Sequence, residues 1–352
     1  FSGSATMRNS NVAVRCLAAG AVAVLLATGC SASSRSGSAS QTITLYNAQH
    51  EQTTDALITA FTQQTGIKVK VRSDGEDVLT AQLEQEGSKS PADVFYTENS
   101  PWLAQLDEKH LLAPVDAAAL QQVPATESAS TGDWIGVSAR VSVLVYNTQK
   151  LTPSQLPTSI LDLADPQWKG KLELAPAETD FWPIVSSVAK AYGDAKALTW
   201  LKGLKSNAAP NDTIPDNETV VSDVNKGTND MGLINHYYFY RLQAEIGTPA
   251  VHAALSFFAP HDPGYVLDIS GAGILRSSKH QVAAQKFVAF LTSAAGQTIL
   301  ANSDSFEYPI GDHVAANPEL PPFAQLQPNS FSVADLGTGE DAKTLLQEAQ
   351  LL

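Results

Sequence analysis

The chain reads as an α/β protein built on a mostly parallel, doubly wound sheet. Three features predict this. Strand and helix signals alternate from residue 42 onward, the strand runs are short and rich in β-branched or aromatic residues, and glycines close the helical runs. Residues 42–46 give the first strand signal. Residues 53–65 carry Ala56, Leu57, Ala60 and Phe61 at helical spacing and stop at Gly66, a residue suited to the left-handed position after a helix. Ile67, Val69 and Val71 alternate with Lys68, Lys70 and Arg72, which predicts a strand with one buried face. A helix over 76–86 presents Val78, Leu79 and Leu83 and stops at Gly87; residues 93–96 are a third strand. Ser100-Pro101 reads as an N-cap and first-turn pair. Later strands at 134–146, 172–175 and 231–234 are spaced by helices at 183–191 and 195–204, and two more helices follow at 281–292 and 296–301. The length, 352 residues, suits about two domains at ~150 residues each. No linker divides the chain, so two lobes joined by several crossings are expected.

Charge narrows the function. Acidic residues number 36 against 22 basic ones, a net charge of −14, which excludes a broad phosphate-binding surface and leaves a cation as a fitting ligand. Both cysteines, Cys16 and Cys30, precede the body, so nothing downstream forms a disulfide, a Cys-ligated metal site or a thiol nucleophile. Met7 is the expected start, after residues 1–6. Arg8 and Arg15, an uncharged run over 17–27 and Thr28-Gly29-Cys30 then read as a secretory leader over 7–29, too short in its apolar part to span a bilayer. A cysteine directly after small residues resembles a bacterial lipobox, with Ala27 where leucine is usual. That implies a lipid on Cys30 and a Ser/Gly/Ala-rich tether over 30–41. Removing residues 1–29 takes away Arg8 and Arg15 and no acid, so the net charge becomes −16. The expectation is a soluble, monomeric body held at the outer face of a membrane by lipid alone.

Nucleophile-elbow, P-loop, HExxH and EF-hand patterns are absent, and Gly271-Ala272-Gly273, followed by Ile274, fails the dinucleotide fingerprint. Three loops stand out instead, each just after a strand and rich in hard metal-ligand atoms: Asn47 to Glu51, Thr97-Glu98-Asn99, and Asn235-His236-Tyr237-Tyr238. Strand carboxyl ends are where a doubly wound sheet gathers its ligand-binding loops. In isolation Tyr237-Tyr238-Phe239-Tyr240 is an ordinary aromatic cluster, His50 a hydrogen-bonded loop histidine and Glu98 a helix-flanking carboxylate. The other histidines read as ordinary, with His261 the best placed to line the cleft.

Thr44-Leu45-Tyr46-Asn47-Ala48-Gln49-His50, Pro91-Ala92-Asp93-Val94-Phe95-Tyr96-Thr97-Glu98 and Leu233-Ile234-Asn235-His236-Tyr237-Tyr238 resemble the signature segments of bacterial ferric-ion-binding proteins, the solute receptors of iron ABC importers. Trp200 to Lys205, Asp262-Pro263-Gly264, Ser270 to Gly273 and Phe287 to Leu291 extend the likeness through most of the body. The resemblance implies a type II periplasmic-binding-protein fold, each lobe a doubly wound sheet flanked by helices. Lobe 1 is expected over 42–139 plus 268–318 and lobe 2 over 140–267 plus 319–352. It also implies Fe(III) as the ligand, His50, Glu98, Tyr237 and Tyr238 as the metal ligands, and an importer permease as partner. Fe(III) is hard and favours oxygen donors. Two phenolates and one glutamate match its three positive charges, and phenol ionisation favours a trivalent ion over Ca²⁺ or Mg²⁺.

Relatives hold a synergistic phosphate or carbonate with a Ser-Gly-Ala turn and asparagines. Here the turn reads Glu178-Thr179-Asp180, with Asn217 and Asn235 matching the asparagines and Arg140 a cleft arginine. Carboxylates repel an anion, so Glu178 or Asp180 is expected to complete the iron shell itself or approach it through water. Two rivals stand beside this. The same fold could take a cationic organic solute, thiamine or a polyamine, between Trp102, Trp182 and the tyrosines. A secreted metal-dependent hydrolase needs a separate general base, and no spacing supplies one.

Overall fold

The computed structural model describes residues 41–208, 210, 214–311 and 313–352; the leader, Cys30 and nearly all of the tether lie outside them. Ten strands form one mixed sheet: β1 (Thr42–Ala48), β2 (Lys68–Ser73), β3 (Val94–Thr97), β4 (Leu112–Ala113), β5 (Trp134–Asn147), β6 (Leu172–Glu173), β7 (Met231–Asn235), β8 (Ala253–Ser256), β9 (Leu267–Leu275) and β10 (Tyr308–Pro309). The order is β2-β1-β3-β9-β5-β7-β6, with β4 on β9 and with β8 and β10 on β5.

The amino-terminal part follows the expected rhythm. β1 pairs in parallel with β2 and β3, and helices Glu51–Thr65, Glu76–Glu86 and Ser100–Glu108 connect the strands or follow them. Gly66 closes the first helix at φ 74°, the left-handed conformation that glycine adopts without a Cβ penalty. The Ser100 helix begins one residue earlier than read, with Asn99 as its N-cap. β2 differs more. It is the sheet edge and, apart from half-buried Val69, is exposed along its length, so its alternation does not mark a buried face. Lysines and an arginine on an unpaired edge discourage further strand addition.

A mostly parallel sheet is not what forms. Three pairings are parallel and six antiparallel. Two strands cause this: β5 runs against β7, β8 and β10, and β9 enters between β3 and β5 running against both and against β4. The β9 glycines permit this packing: a Cβ on Gly271 would lie 2.7 Å from the Ile135 carbonyl oxygen and 2.9 Å from Leu103 Cδ1, so the Ser100 helix seats on the sheet only because none is there.

β5 is the longest strand and joins the two parts of the sheet. Residues up to Val141 pair with β9, while Ser142 to Asn147 pair with β7 and β8. All fourteen of its residues are buried, including Arg140. Among the described residues no helix is long and apolar enough to cross a membrane.

Candidate metal centre

The four expected ligands sit where a strand ends and a helix begins, whereas Arg140 lies within β5. His50 follows β1 and is the N-cap residue of Glu51–Thr65, but its ring makes no capping bond and turns into the site. Glu98 follows β3. Asn235 ends β7 and sits at the N-cap position of His236–Ile246 without a side-chain capping bond, which places Tyr237 and Tyr238 in that helix's first turn. Asp180 lies just before the helix Trp182–Tyr192, and Asn217 is the first residue of Asn217–Lys226. Helix N-termini carry partial positive charge and favour anionic groups there.

These loops, far apart in sequence, converge. His50 Nδ1 lies 3.4 Å from Glu98 Oε1. The His50 ring meets Tyr237 edge-on with centroids 5.4 Å apart, and Tyr237 stacks on Tyr238 at 4.0 Å. Arg140 Nη1 approaches Glu98 Oε2 at 3.5 Å and Asp180 Oδ1 at 3.4 Å, while Nη2 donates to the Glu98 carbonyl and to Asn99 Oδ1. Tyr238 donates its hydroxyl to Asp180 Oδ2 at 2.9 Å. The Tyr237 hydroxyl and His50 Nε2 are buried with no hydrogen-bond partner.

Burial pushes His50 down from its ordinary value, so it is neutral with a free lone pair. Burial pushes Glu98 up to about 8; Arg140 opposes this, and Asp180 and Glu307 add to it. Both tyrosines lie well above the usual phenol value, first through burial, then through the carboxylates Glu98 and Asp180 facing Tyr237 and Asp180 facing Tyr238. Burial works against the Arg140 charge, but Asp180, Tyr237, Glu307 and Glu98 outweigh it. Among the described residues no three His, Cys, Asp or Glu side chains form a metal cluster, so a metal here depends on the phenol oxygens.

A cavity of about 730 Å³ opens onto Glu98, Asp180 and Tyr238. Glu51, Asp74, Glu76 and Asp77 add acid to its lining, against Lys343 as the one basic lining residue among those described. Asn217 is spent on Glu178, whose Oε2 accepts from both its backbone N–H (3.2 Å) and its side-chain amide. Burial and Asp180 push Glu178 up to about 8. Asn235 lines a small void shared with Asp180 and Asn217, its amide unpartnered. Trp102 and Trp182 pack on each other at 5.3 Å, Trp102 donates to Thr179 Oγ1, and Lys343 Nζ sits 5.6 Å from the Trp182 ring centre, so that face already holds a cation.

His261 does not reach the cleft. It is exposed at φ 65° and bonds the Pro328 carbonyl. His236, read as ordinary, is a buried strut: its Nδ1 accepts from Val141 N–H at 3.1 Å, which leaves Nε2 to donate to the Phe306 carbonyl at 2.8 Å. Glu307 and Glu76 went unread. Glu76 accepts from Thr97 Oγ1, Asn99 N–H and the Asn99 amide, which fixes the loop carrying Glu98.

A two-lobed α/β frame with ligand-bearing loops facing one cleft defines a solute-binding protein. The chain belongs to the bacterial extracellular solute-binding protein family, whose model matches residues 89–331, and within it to the ferric-ion-binding proteins. It is 44% identical over 318 residues to the Fe(3+)-binding periplasmic protein of Serratia marcescens, covering 90% of this chain and 93% of that one. The crystal structure of iron-bound HitA from Pseudomonas aeruginosa superposes with a TM-score of 0.83 at 42% identity, over 88% of this chain and 99% of the other. A Trichodesmium protein in complex with iron and citrate gives a TM-score of 0.80 at 30% identity, over 88% and 100%.

Proposed function

We propose that this chain captures Fe(III) in the interlobe cleft outside the cytoplasm and delivers it to an ABC importer permease. Lobe 1, residues 42–139 plus 268–318, supplies His50 and Glu98; lobe 2, residues 140–267 plus 319–352, supplies Tyr237 and Tyr238. Ligands from both lobes let metal stabilise the closed form as a monomeric, recognisable shape. The observation that carries the reading is the pair of orphaned buried atoms, the Tyr237 hydroxyl and His50 Nε2, on rings that touch beside Glu98. An unpartnered buried polar group costs about 1–3 kcal/mol, and a hard trivalent ion satisfies both.

Adding ferric ion as a weak chelate tests this: the protein should develop a visible phenolate-to-iron charge-transfer band at one ion per chain. A colourless protein whose melting temperature rises with thiamine or spermidine overturns it. Lys343 over Trp182 speaks against that organic-cation reading.

The carboxylates replace the external anion in this reading. Glu178 occupies the N-terminus of Asn217–Lys226, where an anion is favoured, and Asp180 faces the iron ligand Tyr238. Glu178→Gln or Asp180→Asn should therefore make iron binding newly dependent on added phosphate or carbonate. If both variants bind iron as the parent does in anion-free buffer, this part is wrong.

Anchoring is by lipid on Cys30. Acyl chains contribute ~0.8 kcal/mol per buried CH₂, and no described helix replaces them. Cys30→Ser should release the protein from membranes with iron affinity unchanged; a variant that still pellets with membranes refutes the anchor.

A further inference from the structure

We infer that the dipeptide Phe306-Glu307 is the hub that holds all four iron ligands in register, with Glu307 a positioning residue for the site proposed above. Glu307 is buried completely and touches no expected ligand itself. Its Oε1 faces Arg140 Nε at 3.7 Å, and Arg140 aims its terminal nitrogens at Glu98 and Asp180. Its Oε2 accepts from Ser138 Oγ at 2.8 Å and from Gln49 Nε2 at 3.3 Å. The Gln49 side-chain oxygen in turn accepts the His50 backbone N–H at 2.8 Å. One carboxylate thus reaches Glu98 through Arg140 and His50 through Gln49.

The adjoining residue reaches the other pair. The Phe306 carbonyl accepts from His236 Nε2, and His236 directly precedes Tyr237 and Tyr238. Val141 N–H fixes the other ring nitrogen, so the tautomer and the ring plane are both set. The Tyr308 ring packs against His236 at 5.0 Å and the Phe306 ring stacks near Tyr240 at 6.0 Å. Phe306 holds φ at 54°, a region that bulky residues avoid and that persists only where the surroundings impose it. Here the surroundings are the two arms: a carbonyl turned to one lobe and a carboxylate turned to the other. Groups that orient metal ligands from behind govern affinity even without contact.

Glu307→Gln keeps the shape and removes the charge that orients Arg140. Iron competition against citrate should show Kd rising about tenfold or more, with faster loss to the chelator and a displaced visible band. Glu307→Asp should recover part of that loss. A purely structural role lowers the melting temperature but leaves band position and Kd at parental values, and that result overturns the inference. If Glu307→Gln does not fold, Gln49→Leu tests the His50 arm without unpairing a buried charge: weaker iron supports the hub, parental Kd and band refute it. The inference rests on the iron reading, and the two fail differently. A parent protein that never colours with ferric ion sinks the iron site, whereas a coloured parent with an indistinguishable Glu307→Gln sinks only the hub.

Discussion

Tyr237→Phe and Tyr238→Phe should each weaken iron binding by about 4 kcal/mol, roughly a thousandfold in Kd, because each deletes one anionic oxygen from a trivalent ion in a dry site. The visible band should dim in both. The same substitutions should move the metal-free protein in opposite directions. The Tyr237 hydroxyl is buried without a partner, so deleting it removes a desolvation cost and should raise stability by about 1 kcal/mol. The Tyr238 hydroxyl donates to Asp180, so deleting that one should lower stability by about 1 kcal/mol. Thermal melts with and without iron separate the effects. His50→Ala and Glu98→Ala should weaken iron but keep colour when iron is in excess, since neither generates the band. The sign with pH follows from the phenols, which stay protonated in the metal-free site because burial raises them. Iron must expel those protons, so binding weakens as pH falls. Two Tyr→Phe variants with full colour and parental affinity would end the assignment.

The convergence of the candidate loops was legible where chemistry and strand context fell within one short segment. His50, Glu98, Tyr237 and Tyr238 each follow a strand whose apolar run marks it, and the structure brings those strand ends together. What was not legible is long-range. Glu307 meets Ser138 across 169 residues and Gln49 across 258, and no local spacing encodes that. The parallel-sheet expectation failed for the same reason. A strand's apolar pattern says that it is buried, not which way its neighbour runs, and β9 returns from far along the chain to pair against β3. β2 misled because alternating Val and Lys serve a protected edge as well as a half-buried strand. His261 has the right residue type in a loop, but its ring is exposed and its Nδ1 bonds the Pro328 carbonyl instead of facing the site.

Arg140→Met should strongly destabilise the metal-free protein and, because Arg140 orients Glu98 and its loop, should also bind iron more weakly than the parent. The guanidinium is fully buried between Glu98, Asp180 and Glu307, and removing it leaves those carboxyls without their shared cation. Breaking a buried ion pair by deleting one partner costs about 3–5 kcal/mol. For a chain of this size that corresponds to a drop of roughly 5–15 °C in Tm. Glu98 is already pushed up to about 8 with Arg140 lowering it, so proton uptake should soften the loss at neutral pH and below, and the loss should grow as pH rises above about 8. Without Arg140 the Glu98 carboxylate and its loop lose the donors that hold them toward the site, so the iron-induced rise in Tm should fall short of the parent's. Arg140→Lys keeps a charge but loses the planar fork that spans Glu98, Asn99 and Asp180, so its Tm should fall between the two. An Arg140→Met protein with parental melting temperature and parental iron affinity would show that the guanidinium neither stabilises the empty cleft nor positions Glu98 for the ion.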